Sequence, residues 1–149
     1  MEPIEFPSDF SEFLRLLNDH RVEYLLVGGF AVALHGYPRA TADIDVWVER
    51  TRTNAERIVA ALRQFGFDLP TLNAELFLEP DRVVRMGSAP IRIEILTSID
   101  GVTFADCKPR AVVHAVDGSE VPVIGLDDLK INKLASGRNK DLDDLENLP

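Results

Sequence analysis

Residues 8–66 alternate between helical and strand-like patterns of apolar residues. Phenylalanine and leucine recur at helical spacing after Ser8, a residue that can cap a helix, and this pattern ends near His20. VEYLLVG predicts a buried strand, and GFAVALHG predicts a helix of about two turns that begins at a glycine pair and ends at Gly36. After the loop YPRAT, DIDVWVE alternates with the period of a strand. TNAERIVAALRQFG then predicts an amphipathic helix that ends at Gly66.

The rest of the chain predicts short strands followed by two helices. AELFLE, RVVRMG and IRIEIL indicate strands, and RAVVHAVDGSEVPVIG indicates a hairpin that turns at DGS. LDDLKINKLASG predicts a helix, and NKDLDDLENL begins another. Because strands and helices neither alternate strictly nor segregate, we expect one α/β or α+β domain over residues 1–149, with a mixed β-sheet flanked by helices.

Composition and charge narrow the class of protein. The net charge of −9 and a pI near 4.7 argue against binding nucleic acid through a broad basic face. The one cysteine, Cys107, cannot form an internal disulfide and is expected to be buried. MEPIEFPSDF lacks the regions of a signal peptide. The longest run without charged or strongly polar residues, Tyr24 to Leu34, is far shorter than the ~20 residues of a membrane span. We therefore expect a soluble cytoplasmic protein.

Two aspartates share one face of the strand DIDVWVE. Residues i and i+2 of a strand point to the same side, so Asp43 and Asp45 lie opposite the apolar face that contains Ile44 and Val46. The two carboxylates, roughly 6–7 Å apart along the backbone, could converge on one hard cation such as Mg²⁺. Without a cation, one of them would be pushed toward protonation. Taken alone, the D-x-D pattern is also typical of the solvated face of an edge strand.

A glycine pair, Gly28 and Gly29, joins the preceding strand to its helix. The first amides of a helix lack intrahelical partners, and glycine lets a phosphate approach them closely. The pair could also serve only as a tight turn, since neither G-K-[ST] nor G-x-G-x-x-G is present. Together, the glycine pair and the two aspartates Asp43 and Asp45 predict one site. The backbone amides would bind phosphate oxygens, and the carboxylates would bind the Mg²⁺ that accompanies the phosphates.

The glycine pair, thirteen intervening residues and D-I-D-V resemble the signature of the nucleotidyltransferase superfamily, which has the DNA-polymerase-beta-like fold. The longer run is similar to the branch that includes the AbiEii-like toxins of toxin–antitoxin systems. Its matching residues are Gly28, Gly29, Ala31, His35, Gly36, Arg39, Thr41, Asp43 and Asp45. A late K-x-x-x-x-R-x-K-D-x-x-D segment of that branch is matched by Lys133, Arg138, Lys140, Asp141 and Asp144. The resemblance extends from about Leu25 to Leu145 and implies a minimal nucleotidyltransferase fold.

The resemblance also implies roles for the acidic residues. Asp43 and Asp45 would hold two Mg²⁺ ions, and the glycine pair would cradle the phosphates of an NTP. The family usually has a third acidic residue on a neighbouring strand, where aspartate is more common, and Glu94 in IRIEIL is the candidate here. Glu94 could instead pair with Arg92 on the same strand face.

Further nucleotide-binding residues are carried over from the same pattern. They are Arg39, Thr41, Lys133, Lys140 and Asp141. Each lysine could instead be an ordinary solvated side chain, and Asp141 could be an acidic residue favoured in the first turn of a helix.

The implied function is a Mg²⁺-dependent nucleotidyltransferase. It would move a nucleoside monophosphate from an NTP to an acceptor, which could be tRNA, a protein or a small molecule, and it could belong to a toxin–antitoxin pair with a partner protein. Two alternatives stay open. One is a catalytically weak or inactive module of the same fold that binds nucleotide or a partner protein. The other is a metal-dependent phosphohydrolase, for which D-x-D on a strand would also serve.

Overall fold

The structure is a computed structural model that describes residues 6–88 and 91–149. Within these ranges the helices are α1 (Ser8–Asp19), α2 (Gly28–Leu34), α3 (Arg52–Phe65), α4 (Phe104–Cys107), α5 (Leu126–Ser136) and α6 (Asn139–Asn147). The strands are β1 (Tyr24–Val27), β2 (Asp43–Val48), β3 (Val83–Ser88), β4 (Ile91–Leu96), β5 (Val112–Val116) and β6 (Ser119–Val123). Two 3-10 turns cover Ala74–Phe77 and Lys108–Arg110. No helix in the described ranges is long and apolar enough to cross a membrane.

The strands form one mixed sheet in the order β3-β4-β2-β1-β6-β5, flanked by the helices. β1 is antiparallel to β2 and parallel to β6, while β2 is parallel to β4 and β4 is antiparallel to β3. In this register Asp45 lies opposite Val27 on one side and Glu94 on the other. Because the glycine turn follows Val27 directly, strand pairing alone brings that turn next to Asp45. The expected mixed sheet flanked by helices is confirmed.

The core lies behind the apolar face of β2. Ile44, Val46 and Val48 are buried there, as the period of two predicts. The stripe predicted on α3 is buried at Ile58 and Leu62. Burial of these faces fixes which side of β2 can carry charge, because a shift of one residue would turn the aspartates into the core.

The hairpin and the two last helices are confirmed. β5 and β6 are joined at Asp117 and Gly118, whose φ angles of 48° and 85° are those of the tight turns that match strand twist. α5 ends at Gly137, which adopts the left-handed conformation that favours glycine at a helix end.

Two local predictions are wrong. AELFLE forms the 3-10 helix Ala74–Phe77 instead of a strand. The segment is too short for its apolar pattern to distinguish a strand from a helix. Burial of Phe77 and an ion pair between Glu75 and Arg52 hold it in the helical conformation. Ser8 does not cap α1, since it is already the first helical residue. The carbonyl of Pro7 instead accepts the amides of the first turn.

Candidate active site

Five charged side chains share one face of three neighbouring strands. Asp43 on β2 lies opposite Arg92 on β4, and Asp45 lies opposite Glu94. Glu94 in turn lies opposite Arg85 on β3. Residues two apart on a strand, and direct neighbours across strands, project from the same side of a sheet. We call this set the charged face; it holds three carboxylates and two guanidinium groups.

Asp45 lies directly against the backbone of Gly28. A Cβ atom on Gly28 would be 2.0 Å from Oδ2 of Asp45, and Gly28 has a φ of +70°. Both the space and the backbone conformation therefore require glycine at this position. The structure thus places the glycine turn and the second aspartate of D-x-D side by side.

The carboxyl group of Asp45 is largely buried and forms no salt bridge in the part of the chain that the structure describes. Within the described residues its Oδ1 has no hydrogen-bond partner. Burial, then a hydrogen bond and charge repulsion from Glu94, raise the pKa of Asp45 from 3.8 to about 7. A buried carboxylate oxygen beside a second carboxylate is a donor set that suits a hard divalent cation, which would relieve this penalty. These residues therefore fit Mg²⁺.

Arginines neutralise the other two carboxylates of the charged face. Arg92 donates to Asp43 from Nε at 2.8 Å and from Nη2 at 3.4 Å, and Nε of Arg85 donates to Glu94 at 2.8 Å. The alternative pairing of Glu94 with Arg92 is wrong, because cross-strand neighbours are closer than residues two apart on one strand. Across residues 6–88 and 91–149, no three Asp, Glu, His or Cys side chains converge as a metal-binding group. Asp43 and Glu94 would therefore have to leave their arginines to join Asp45 at a cation.

A second set of charges is buried between α5, α6 and the loop before β2. Arg39 donates from Nε and Nη2 to the two oxygens of Asp144 at 2.6 and 2.8 Å. Nζ of Lys133 lies 2.9 Å from Asp144 and 3.1 Å from Asp141. Arg138 completes the set by donating to Asp141 at 2.7 Å. We call these five residues the buried charge network.

The two sets of charges differ in strength because they differ in burial. The side chains of Asp144, Asp141 and Lys133 are 0%, 1% and 6% exposed, and breaking a buried ion pair by removing one partner costs about 3–5 kcal/mol. Arg85 and Arg92 are 69% and 47% exposed, and solvent-exposed pairs of that kind contribute little to stability. Asp144, Asp141 and Lys133 are therefore fixed, whereas Arg138 is 76% exposed and, like the arginines of the charged face, can move at little cost.

The pKa values of the two buried aspartates agree with this contrast. Burial would raise the pKa of Asp144, but hydrogen bonds from Arg39 and Lys133 outweigh it and hold the pKa below its ordinary value. Burial acts in the same way on Asp141, where hydrogen bonds from Arg138 and Lys133 again lower the pKa. Both carboxyl groups are therefore ionised at neutral pH.

A cavity of about 430 Å³ opens beside Asp45, a volume in the range of small-molecule sites. The predicted site residues in its lining are Gly28, Asp45, Glu94, Lys133 and Asp141. Arg138, which the sequence analysis matched to the late family motif, also lines the cavity. Polar lining residues that the sequence analysis missed are Asp81, Arg85, Ser98, Asp100, Asn132 and Ser136. Asn132 and Ser136 are four residues apart on α5, so they lie on the same face of the helix, the face that lines the cavity. Their spacing could have been recognised in the sequence. Arg85 could be found only once β3 was paired with β4.

The other predicted residues, Asp43 among them, are outside the lining of this cavity. Gly29, Thr41 and Arg39 form one group, because a Cβ on Gly29 would be 2.6 Å from Oγ1 of Thr41 and 3.3 Å from Nη1 of Arg39. Lys140 is exposed on α6, and its charge acts on Asp45 by lowering the pKa of that carboxyl group. His35, a further residue of the glycine motif, has a structural contact, since its Nε2 lies 2.6 Å from the carbonyl oxygen of Ile124.

The mixed sheet and the charged face beside a glycine turn define a nucleotidyltransferase-like domain. A crystal structure of a protein from Thermotoga maritima (TM1012), described as a "putative nucleotidyltransferase", has this fold with a TM-score of 0.58 at 18% sequence identity, over 92% of this chain and 88% of that chain. Residues 8–148 match the family described as "Nucleotidyltransferase of unknown function (DUF6036)". The chain belongs to this family. No curated protein sequence matches it.

These comparisons confirm the nucleotidyltransferase superfamily that the glycine and D-x-D motifs indicated. The likeness to the Thermotoga protein, at this identity, concerns the fold alone. Membership of the AbiEii-like branch stays a prediction.

Proposed function

We propose that this chain is a Mg²⁺-dependent nucleotidyltransferase that transfers a nucleoside monophosphate from an NTP to an acceptor hydroxyl. The observation that carries the proposal is Asp45, a largely buried carboxylate whose Oδ1 has no hydrogen-bond partner among the described residues. It lies against Gly28, beside Glu94, in the wall of a cavity of suitable size. A buried carboxylate without a counter-charge is costly unless a proton or a cation joins it.

The acidic residues would share the work of the reaction. Asp43, Asp45 and Glu94 would hold Mg²⁺, which when bound neutralises phosphate charge and makes the acceptor hydroxyl more acidic. Glu94 lines the cavity and would take the proton of that hydroxyl. The acceptor oxygen forms a bond to the α-phosphorus, the bond from that phosphorus to the bridging oxygen breaks, and pyrophosphate leaves.

The other predicted residues would bind or support the nucleotide. The backbone of Gly28 and Gly29 would face phosphate oxygens. Lys140, whose charge already acts on Asp45, would contact the triphosphate directly. Through the buried charge network, Lys133 and Asp141 would shape the cavity wall that they share. Arg39 and Thr41 would fix the loop that leads to the aspartates.

The finer assignments from the sequence resemblance extend this proposal. An AbiEii-like relationship would make the chain the toxin of a toxin–antitoxin pair and would add an antitoxin as its partner. The acceptor would then be a tRNA end, a protein hydroxyl or a small molecule. Because the net charge is −9, a tRNA acceptor would need either a local basic site or a partner that supplies one.

A second candidate is a catalytically inactive module of the same fold that binds nucleotide or a partner protein. The observation that favours it is the pairing of Asp43 with Arg92 and of Glu94 with Arg85. These pairs balance two of the three carboxylates without any metal. A site that is neutralised in this way could bind a nucleotide and never reach a reactive arrangement.

The test is transfer of label from each α-³²P-labelled NTP, with Mg²⁺, to components of total RNA or lysate. We expect Asp43→Asn and Asp45→Asn to reduce labelling by at least about a hundredfold. Asp68→Asn is the matched control, because Asp68 is exposed, lies outside the cavity lining and loses the same charge, and we expect it to label like wild type. Nucleotide binding by calorimetry without any labelled acceptor would support the inactive module. Equal labelling by wild type and Asp45→Asn would reject the proposed enzyme.

A further inference from the structure

A triphosphate needs positive charge from the protein, and two of the three cations that the sequence suggested, Arg39 and Lys133, are already committed. Arg39 holds Asp144, and Lys133 holds both Asp144 and Asp141. These carboxylates are almost completely buried, so a cation that moved toward a ligand would leave buried negative charge behind. Arg39 and Lys133 are therefore poor candidates for residues that change partner when a nucleotide arrives.

Arg85 and Arg92 have the opposite properties. Both are exposed cations of the charged face, and each donates to one carboxylate at 2.8 Å. Exposed ion pairs of this kind are weak, so they can break at little cost. Their partners, Glu94 and Asp43, are two of the three residues that would hold Mg²⁺. A divalent cation and these arginines therefore compete for the same oxygens.

We propose that Arg85 and Arg92 are exchangeable counter-cations, which neutralise Glu94 and Asp43 in the nucleotide-free protein and transfer to the triphosphate when a divalent cation occupies the carboxylates. This inference rests on the proposed function and adds two residues to the site. The planar guanidinium group binds phosphate oxygens in the same forked geometry that it uses for carboxylates. Because the ion releases the arginines and the arginines then hold the triphosphate, each ligand favours binding of the other.

The experiment separates ion binding from triphosphate binding. Binding of Mn²⁺ is measured by electron paramagnetic resonance without nucleotide, and binding of inorganic triphosphate in excess Mg²⁺ is measured by calorimetry. In the double variant Arg85→Gln/Arg92→Gln we expect Mn²⁺ to bind about fivefold more tightly and triphosphate to bind at least about tenfold more weakly. The control Arg15→Gln/Arg52→Gln removes the same charge from two exposed ion pairs, and both affinities should stay within about twofold of wild type.

The outcomes distinguish this inference from the proposed function. Tighter Mn²⁺ binding together with weaker triphosphate binding in the double variant supports the exchange. If Asp45→Asn abolishes Mn²⁺ binding but the double arginine variant matches wild type in either affinity, the exchange is wrong and the metal site stands. If Mn²⁺ binds equally to wild type and Asp45→Asn, the proposed function itself fails. The double variant Arg85→Lys/Arg92→Lys keeps both charges but lacks the planar guanidinium groups. We expect it to bind triphosphate more tightly than the glutamine variant and more weakly than wild type.

Discussion

Asp144→Asn removes one negative charge from the centre of the buried charge network. The carboxylate of Asp144 is 0% exposed and lies 2.6 Å and 2.8 Å from two nitrogens of Arg39 and 2.9 Å from Nζ of Lys133. Asparagine has nearly the same shape and keeps one acceptor oxygen, but the three cations of the network are then left with only the charge of Asp141. Loss of one partner from a buried ion pair costs about 3–5 kcal/mol, so we expect the free energy of unfolding to fall by about 3 kcal/mol.

Calorimetry and urea unfolding at pH 7 measure this loss. For a chain of 149 residues, the expected decrease in Tm is roughly 6–12 °C. Asp143→Asn is the matched control on the same helix, because Asp143 is exposed and, among the described residues, its carboxylate accepts only from the Tyr37 hydroxyl and Asn147. It should lose less than about 0.5 kcal/mol. A loss below about 1 kcal/mol in Asp144→Asn, or equal losses in the two variants, would refute the reasoning.

Three further predictions concern glycine and pH. Gly28 has a φ of +70°, and a Cβ there would be 2.0 Å from Asp45, so Gly28→Ala should lower the free energy of unfolding by about 2–4 kcal/mol and abolish Mn²⁺ binding. Gly66 has a φ of +121° but open space around it. Gly66→Ala should therefore lose less stability in urea unfolding and keep Mn²⁺ binding. The lowered pKa of Asp144 contributes stability above its unfolded value near pH 4 that is lost as pH falls, so Asp144→Asn should flatten the acid side of a Tm profile. Conversely, the pKa of about 7 at Asp45 makes folding less favourable as pH rises from about 4 to 7. Asp45→Asn should therefore exceed wild type in stability at pH 8 without divalent ions, by up to about 4 kcal/mol, and an equal or lower Tm would contradict this.

Local periodicity was enough to predict which face of β2 carries the charges. Asp43 and Asp45 are two residues apart, and burial of Ile44 between them fixes the direction of both side chains. The position of the glycine turn beside Asp45 was also within reach, because a short connection brings β1 and β2 together. What could not be predicted was the partner of each carboxylate. The pairs Arg92–Asp43 and Arg85–Glu94 depend on the order and register of β2, β4 and β3, which no single segment determines.

The same limit applies to the partners of Lys133. Lys133 was expected to contact a triphosphate, since its position matches a family motif. In the structure it is buried between Asp141 and Asp144, an arrangement that depends on how α6 folds back over α5. Whether a lysine on a helix faces solvent or a buried carboxylate is decided by packing between elements, and one sequence does not specify that packing.

The pairing of Arg39 with Asp144 joins residues that are 105 positions apart. During synthesis on the ribosome, the loop that leads to the D-x-D strand is therefore made long before its counter-charge exists. A nascent chain could pair β1 with β2, but Arg39 would lack its carboxylate partner until α6 had emerged from the exit tunnel. We therefore expect the nucleotide-binding site to form late in translation. Ribosome-bound fragments that end before α6 should not bind nucleotide.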